Sequence, residues 1–176
     1  AMPLKIFLPD RASGAPGAET RGVNDDADKD LLSMQYARIL AENAREAQKK
    51  LAGFPQEKLD QIVEHVAGEM EKHARELAVM SFEETDYGRW QDKLIKISFV
   101  CRSVLRGLRG MRCVGTLRED AGGNVLEVGV PLGVIVALCP STSPVSTAIY
   151  KALLAIKSGN AIIFSLHKVA MSLLRF

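Results

Sequence analysis

Cysteine is scarce in this sequence: Cys101, Cys113 and Cys139 are the only three among 176 residues. An odd, scattered set does not make a disulfide framework and points to reduced thiols, hence to a cytoplasmic setting. An excess of one charge is missing too. Lys and Arg total 23 against 21 for Asp and Glu, a net charge of +2 that gives no reason to expect nucleic acid as a partner. No apolar run approaches the ~18 residues that cross a bilayer, so no membrane partner is expected. The first residues lack the charged-then-apolar layout of a signal peptide. Internal repeats are absent. So is the GxGxxG fingerprint of dinucleotide-binding folds, since Gly107 and Gly110 fall in a helical pattern and not after a strand. With 47% hydrophobic residues the chain is long enough for one globular core.

Residues 1–30 contain a stretch rich in Gly, Ala, Pro and charge and read as a leader or arm, with Asp28 or Asp30 able to cap the next segment. Residues 31–113 read as helical. From Leu31 to Leu51, apolar residues recur at Leu32, Tyr36, Ile39, Leu40, Ala44 and Ala47, an amphipathic pattern. Gly53 and Pro55 break it. A second helix carries the stripe Leu59, Ile62, Val63, Val66, Met70 and Leu77. Asp86 to Gly88 make a turn. A third helix places Trp90, Leu94, Ile97, Cys101, Val104 or Leu105, and Leu108 on one face, with Gly107 and Gly110 weakening its last turns. Within 114–130, strands Val114–Glu119 and Val125–Val130 flank Ala121-Gly122-Gly123-Asn124, a hairpin signal. Alternation of Leu126, Val128 and Val130 with Glu127 and Gly129 predicts one packed face.

Residues 131–176 read as part of a βαβ unit. Val134 to Cys139 is a short β-branched run of the kind buried on both faces, and Pro140 stops it. Ser143 can cap a helix with Pro144 at its first position. Val145, Ile149, Leu153 and Ile156 follow at helical spacing, and Gly159 can end the helix. Ala161 to Phe164 opens a second strand. The strands should be parallel, with ligands bound beyond their carboxyl ends, at 139–144 and 165–168. The short apolar segment from Met171 to Phe176 can begin another helix. The fold class is α/β: helices first, a β-hairpin, then the start of a parallel Rossmann-like sheet.

Several short motifs resemble those of a known family. Pro131-Leu132-Gly133-Val134-Ile135, Pro140-Ser141-Thr142-Ser143-Pro144, Gly159-Asn160 and Phe164-Ser165-Leu166-His167 resemble the aldehyde dehydrogenase superfamily, in its CoA-acylating acetaldehyde and propionaldehyde dehydrogenase branch. Ala74-Arg75-Glu76-Leu77-Ala78, Glu83-Glu84-Thr85-Asp86-Tyr87-Gly88-Arg89 and Asp92-Lys93 agree, so the resemblance covers roughly residues 31 to 170. Family members are far longer, and their catalytic cysteine lies beyond the point matching Phe176. The resemblance therefore implies an incomplete aldehyde dehydrogenase fold, with no nucleophile in this chain.

The resemblance also assigns candidate roles. The classical loop P-W-N-F-P carries an Asn that supports the developing oxyanion. That position is Thr142 here, while acylating relatives often carry Asn at Ser143, so Thr142 and Ser143 are the candidates for oxyanion support. Pro140, Ser141 and Thr142 would form one cofactor-side wall. Ser165, His167 and Lys168 would form the other, where the classical Lys and Glu that hold the cofactor ribose are absent. Ser165 and His167 match the acylating branch; Leu166 and Lys168 depart from it. Without the resemblance, residues 140–144 read as an ordinary helix cap or a site for polar or anionic ligand groups, and His167 as a loop histidine or a contact to a cofactor phosphate or ribose.

Other constellations read as scaffold. Cys139 is expected to be buried and inert, and Cys101 and Cys113 to be core. His65, Glu69 and His73 share a helix face without a third ligand group, so no metal site is expected. Lys93, Lys96, Arg102, Arg106, Arg109 and Arg112 read as a solvated basic stripe, the alternative being a surface for acidic partners or CoA phosphates. The expectation is part of an enzyme converting a small aldehyde, CoA and NAD or NADP to an acyl-CoA. It is expected to be a homo-oligomer through its hairpin and cytoplasmic, with a bacterial microcompartment left open. The alternatives are a catalytically inactive interaction module or a partial nucleotide-binding domain.

Overall fold

A computed structural model describes residues 25–167. Six α-helices and four strands follow in the order α1 (Asp25–Leu51), α2 (Gln56–Lys72), α3 (Ala74–Thr85), α4 (Trp90–Phe99), a π-helical turn (Val100–Val104), α5 (Leu105–Leu108), β1 (Gly115–Glu119), β2 (Leu126–Gly129), β3 (Val134–Cys139), α6 (Pro144–Lys157) and β4 (Ala161–Leu166). The expected α/β architecture is present. β1 and β2 pair antiparallel as a hairpin, and β3 and β4 pair parallel across α6.

The core is a helical layer. Leu59 and Val63 on α2, Leu77 and Ala78 on α3, Ile97 on α4, and Ile149, Leu153 and Ile156 on α6 are all buried. Leu59 and Val63 are one turn apart on α2, as are Ile149, Leu153 and Ile156 on α6, and side chains from the four helices share one apolar interior. α6 ends as its sequence predicts. Gly159 adopts φ 69°, its N–H reaching Ile156 O at 2.9 Å, and the Asn160 N–H reaches Ala155 O at 2.8 Å. These two bonds make a Schellman cap and turn the chain straight into β4.

Two buried amides tie the layers together. Asn160 accepts from the Gly133 N–H at 2.8 Å, while its Nδ2 donates to Ser158 Oγ at 2.8 Å. With Ala161 N–H on Gly133 O, this fixes the start of β4 beside the start of β3. Gln56, 4% exposed, gathers three segments. Its Nε2 donates to Asp60 Oδ1 and to Lys157 O, and its Oε1 accepts from the N–H groups of Cys113 and Val114. The buried Lys157 ammonium pairs with Asp60 at 2.7 Å beside it.

Several expectations are corrected. Helix α1 already runs at residues 25–30, so Asp28 and Asp30 lie inside a helix and not at its cap. Leu32, Tyr36 and Ala47 are exposed, because only Ala44 and, partly, Ile39 and Leu40 of the expected stripe are covered. The second helical pattern is two helices, broken at His73, whose φ −96°, ψ 6° ends α2. The third helix holds a π-turn at Val100–Val104, an extra residue that re-phases its buried face toward Leu105 and Leu108. Gly110, at φ 77°, lies past the end of α5. The hairpin is exposed on both sides: Leu126, Val128 and Val130 are 56%, 53% and 75% exposed, because β1 and β2 lie mainly on each other. A register shift between Thr116 and Arg118 bends it. β3 is covered on one face. Ala137 and Cys139 are buried, whereas Val136 and Leu138, on the alternate face, are 63% and 67% exposed. The segment from Met171 to Phe176 and residues 1–24 lie outside the described residues.

Replacing Gln56 by Ala leaves two backbone N–H groups and Lys157 O without their partner. Unfolding in urea should show a loss of about 1–3 kcal/mol. An unchanged midpoint would mean that Gln56 does not join these segments.

Candidate active site

Parallel pairing sets the geometry of the sheet edge. Leu138 lies opposite Ser165 and Cys139 opposite Leu166, so both strands end on the same side. Residues 140–143 leave β3 there and enter α6, and His167 follows β4. Pro140, Ser141, Thr142, Ser143, Ser165 and His167 are thus brought to one end of the sheet, and Lys168 lies outside the described residues. Pro140, Thr142, Ser165 and His167 are exposed; Ser141 and Ser143 are half-buried.

Ser143 does occupy the N-cap of α6, and Pro144 the first helical position, but the Ser143 hydroxyl makes no cap hydrogen bond. Instead it accepts from Lys96 Nζ at 2.9 Å. That leaves its single proton available for donation to a ligand. One helical turn earlier on α4, Lys93 Nζ donates to Thr142 O at 3.0 Å and to Thr85 Oγ1 at 3.3 Å. Lys93 is only 6% exposed. Burial, and secondarily the charge of Lys96, hold its ammonium below the usual lysine range. Behind the loop, Lys151 on α6 donates to Leu138 O at the end of β3. The loop is therefore held by ammonium groups, Thr142 is exposed, and the first turn of α6 adds its unpaired N–H groups. Such an arrangement suits a developing negative charge or an anionic ligand group.

A cleft of about 370 Å3 opens beside the loop, lined by Ile95, Lys96, Phe99, Val100, Ser146, Thr147 and Tyr150. It lies between α4 and the first two turns of α6. Its lining is mainly apolar, with hydroxyls from Ser146, Thr147 and Tyr150 and the ammonium of Lys96. Sequence reading missed both this cleft and the buried lysine. One signal was available: Lys93 stands three residues after Trp90 and four before Ile97, on the apolar face of its helix.

The basic stripe divides accordingly, which corrects its reading as one solvated face. Lys93 and Lys96 serve the loop. Arg109 forms a two-pronged pair with Glu64 on α2, at 2.7 and 2.9 Å, which holds the Glu64 carboxyl below its usual range. Arg102 pairs with Glu71 and Arg112 with Glu57. His65 is exposed, Glu69 is engaged by Lys72, and His73 sits at the α2–α3 break against Glu76. Among the described residues no three His, Cys, Asp or Glu side chains are placed to hold a metal.

None of the buried thiols is set up as a nucleophile. Burial pushes the Cys101 thiol up to about 12, with the Glu71 charge adding to it. Burial also raises Cys139, opposed by Lys151. Cys113 is half-buried at the entry to the hairpin, not in the core as its sequence context suggested.

The model of the "Aldehyde dehydrogenase family" matches residues 31–172, which include this whole loop and both strands. The chain belongs to the aldehyde dehydrogenase family. A probable aldehyde dehydrogenase of Listeria monocytogenes is 46% identical with a TM-score of 0.80, covering 84% of this chain and 32% of its own. An acetylating aldehyde dehydrogenase of Geobacillus thermoglucosidasius is 39% identical with a TM-score of 0.79 over the same shares. The bifunctional aldehyde-alcohol dehydrogenase of Escherichia coli is 35% identical over 128 residues, 73% of this chain and 14% of that protein. This family member thus spans about a third or less of the length of its relatives, and the similarity runs to their acylating branch.

In this aldehyde dehydrogenase chain, thiol reagents near neutral pH should modify Cys113 well before Cys101 and Cys139. Fast modification of Cys139 would contradict its burial. Cys101 also predicts a pH trend. Unfolded, the thiol ionises near its ordinary value of 9.0; folded, it holds its proton to about 12. The unfolded chain then binds fewer protons, so this thiol's contribution to stability is full below pH 9 and lost as pH rises toward 12. Cys101→Ala should flatten the alkaline decline in a urea-midpoint series between those values.

Proposed function

We propose that this chain forms the cofactor-side wall and part of the oxyanion environment of an NAD(P)-dependent, CoA-acylating aldehyde dehydrogenase. The single observation that carries this reading is the 140–144 loop. Its carbonyl and hydroxyl are held by Lys93 and Lys96, and Lys96 also lines the neighbouring cleft. The aldehyde's carbon chain lies along Ile95, Phe99 and Tyr150, and its oxygen faces the hydroxyls of Thr142 and Ser143. Attack of a cysteine thiolate puts negative charge on that oxygen, which those donors stabilise. Hydride then passes to NAD+ or NADP+, and CoA takes the acyl group from the resulting thioester. Pro140, Ser141 and Thr142 line one side of the cofactor and Ser165 and His167 the other, with the adenosine ribose toward the latter pair; Lys168, outside the described residues, is a further candidate for the cofactor. The buried state of Cys101 and Cys139 argues against either as the nucleophile.

Acylating members of the family use NAD(P) and CoA, and a propionaldehyde dehydrogenase of Rhodopseudomonas palustris, 25% identical with a TM-score of 0.66, has been solved with propionyl-CoA bound. The site residues here fit such ligands in kind: hydroxyls, a histidine and a helix N-terminus face the sheet edge where phosphates and ribose are held in α/β folds. No helix among the described residues is long and apolar enough to cross a membrane. A cytoplasmic or microcompartment setting is part of this proposal.

The hairpin favours a second element of the reading, homo-oligomerisation. Leu126, Val128 and Val130 alternate along one side of the hairpin and form an apolar surface that the described residues leave exposed. A charge placed at Val128 should shift the protein toward monomer in sedimentation. An unchanged distribution would assign oligomerisation to another surface.

The native protein, given acetaldehyde or propionaldehyde with NAD+ or NADP+, should form reduced cofactor only when CoA is present, with acyl-CoA as product. Oxidation indifferent to CoA, yielding free acid, would replace this reading with hydrolytic aldehyde oxidation. No turnover with saturable cofactor binding would favour a nucleotide-binding module, and neither would favour an interaction module.

A further inference from the structure

Lys93 is a costly residue for this fold to keep. Its ammonium is buried at the junction of α3, α4 and the 140–143 loop, and its partners are neutral oxygens only, Thr142 O and Thr85 Oγ1. Among the described residues no carboxylate pairs with it, and no negative charge contributes to its titration. Burying a cation in this way disfavours folding, whereas a straight apolar side chain would fill the same space without that cost. Packing alone therefore gives no reason for a lysine here.

Its hydrogen bonds do give one. Thr85 spends its single proton on Ser81 O at 2.6 Å, so its oxygen can only accept from Lys93. A continuous chain then runs from the α3 backbone through Thr85 and Lys93 to the Thr142 carbonyl. In a planar trans peptide the C=O and the following N–H point in opposite directions. Anchoring the Thr142 carbonyl on Lys93 thus fixes the plane of that peptide and with it the direction of the Ser143 N–H, and the cation polarises the peptide so that the N–H is a stronger donor.

We infer that Lys93 is a positioning residue, which sets the plane of the Thr142–Ser143 peptide so that the loop's donors meet the oxygen of the reacting aldehyde. This inference rests on the function proposed above. Lys93 touches no substrate. It acts through Thr142.

The test uses the native protein and its Lys93→Met variant, with three readouts: thermal midpoint, hydrogen exchange at residues 142–146, and steady-state kinetics. Lys93→Met should keep or raise the midpoint and quicken exchange within 142–146 alone. It should lower kcat by about tenfold to a hundredfold with KM for NAD(P)+ changed less than threefold, the loss expected of a small misplacement. Lys93→Gln, which keeps an N–H donor without the charge, should recover part of both the protection and kcat.

A lowered midpoint with unchanged kcat per folded molecule would overturn the inference and make Lys93 structural. Wild-type exchange and kcat in Lys93→Met would overturn it as well. Should Lys93→Met not fold, Lys93→Gln decides: wild-type loop protection with wild-type kcat again overturns it. If the wild-type protein shows no CoA-dependent aldehyde oxidation, the proposed function fails, and the exchange comparison still tells whether Lys93 holds the loop.

Discussion

Six consecutive residues of β3 lie in parallel register with six of β4, from Val134 beside Ala161 to Cys139 beside Leu166, and the site depends on that register. It is fixed at the amino ends of the strands, where Asn160 and Ala161 grip the two backbone groups of Gly133. A slip of β3 by one residue would reverse its faces and move Ala137 and Cys139 off the covered side. It would also carry residues 140–144 away from His167. The Schellman cap at Gly159 contributes to the same constraint, because it delivers Asn160 to Gly133 directly from the end of α6.

Around this pair the molecule is built asymmetrically. α6 buries one face of the sheet and joins it to α2, α3 and α4 through Ile149, Leu153 and Ile156. The opposite face keeps Val136 and Leu138 exposed, and the hairpin keeps Leu126 and Val128 exposed. Composition marks these strands as apolar without saying what covers them. A β-branched run looks the same whether a helix lies on one side or on both.

Much of the fold was legible in the sequence. The strand–loop–helix–strand order from Val134 to Phe164 arises from a β-branched run, Pro140, a 3.6-residue stripe and Gly159, each a local signal. The hairpin and the Asp86–Gly88 turn are local too. The errors fall where local signals are silent. His73 breaks a helix without Gly or Pro, the π-turn at Val100–Val104 leaves the apolar period nearly intact, and Leu32 and Tyr36 have a helical stripe that no other described residue covers.

The family and the loop can be read along the chain, because Pro140 to Pro144 and Gly159-Asn160 are contiguous motifs. How that loop is held emerges only from the packing of distant segments. Lys93 and Thr142 stand 49 residues apart, and Lys96 and Ser143 stand 47 apart. A lysine on a helix reads as solvated, because lysine is rarely buried. Its burial comes from α3 and the loop closing over α4, contacts that depend on the packing of helices distant in sequence and on no pattern within any one of them.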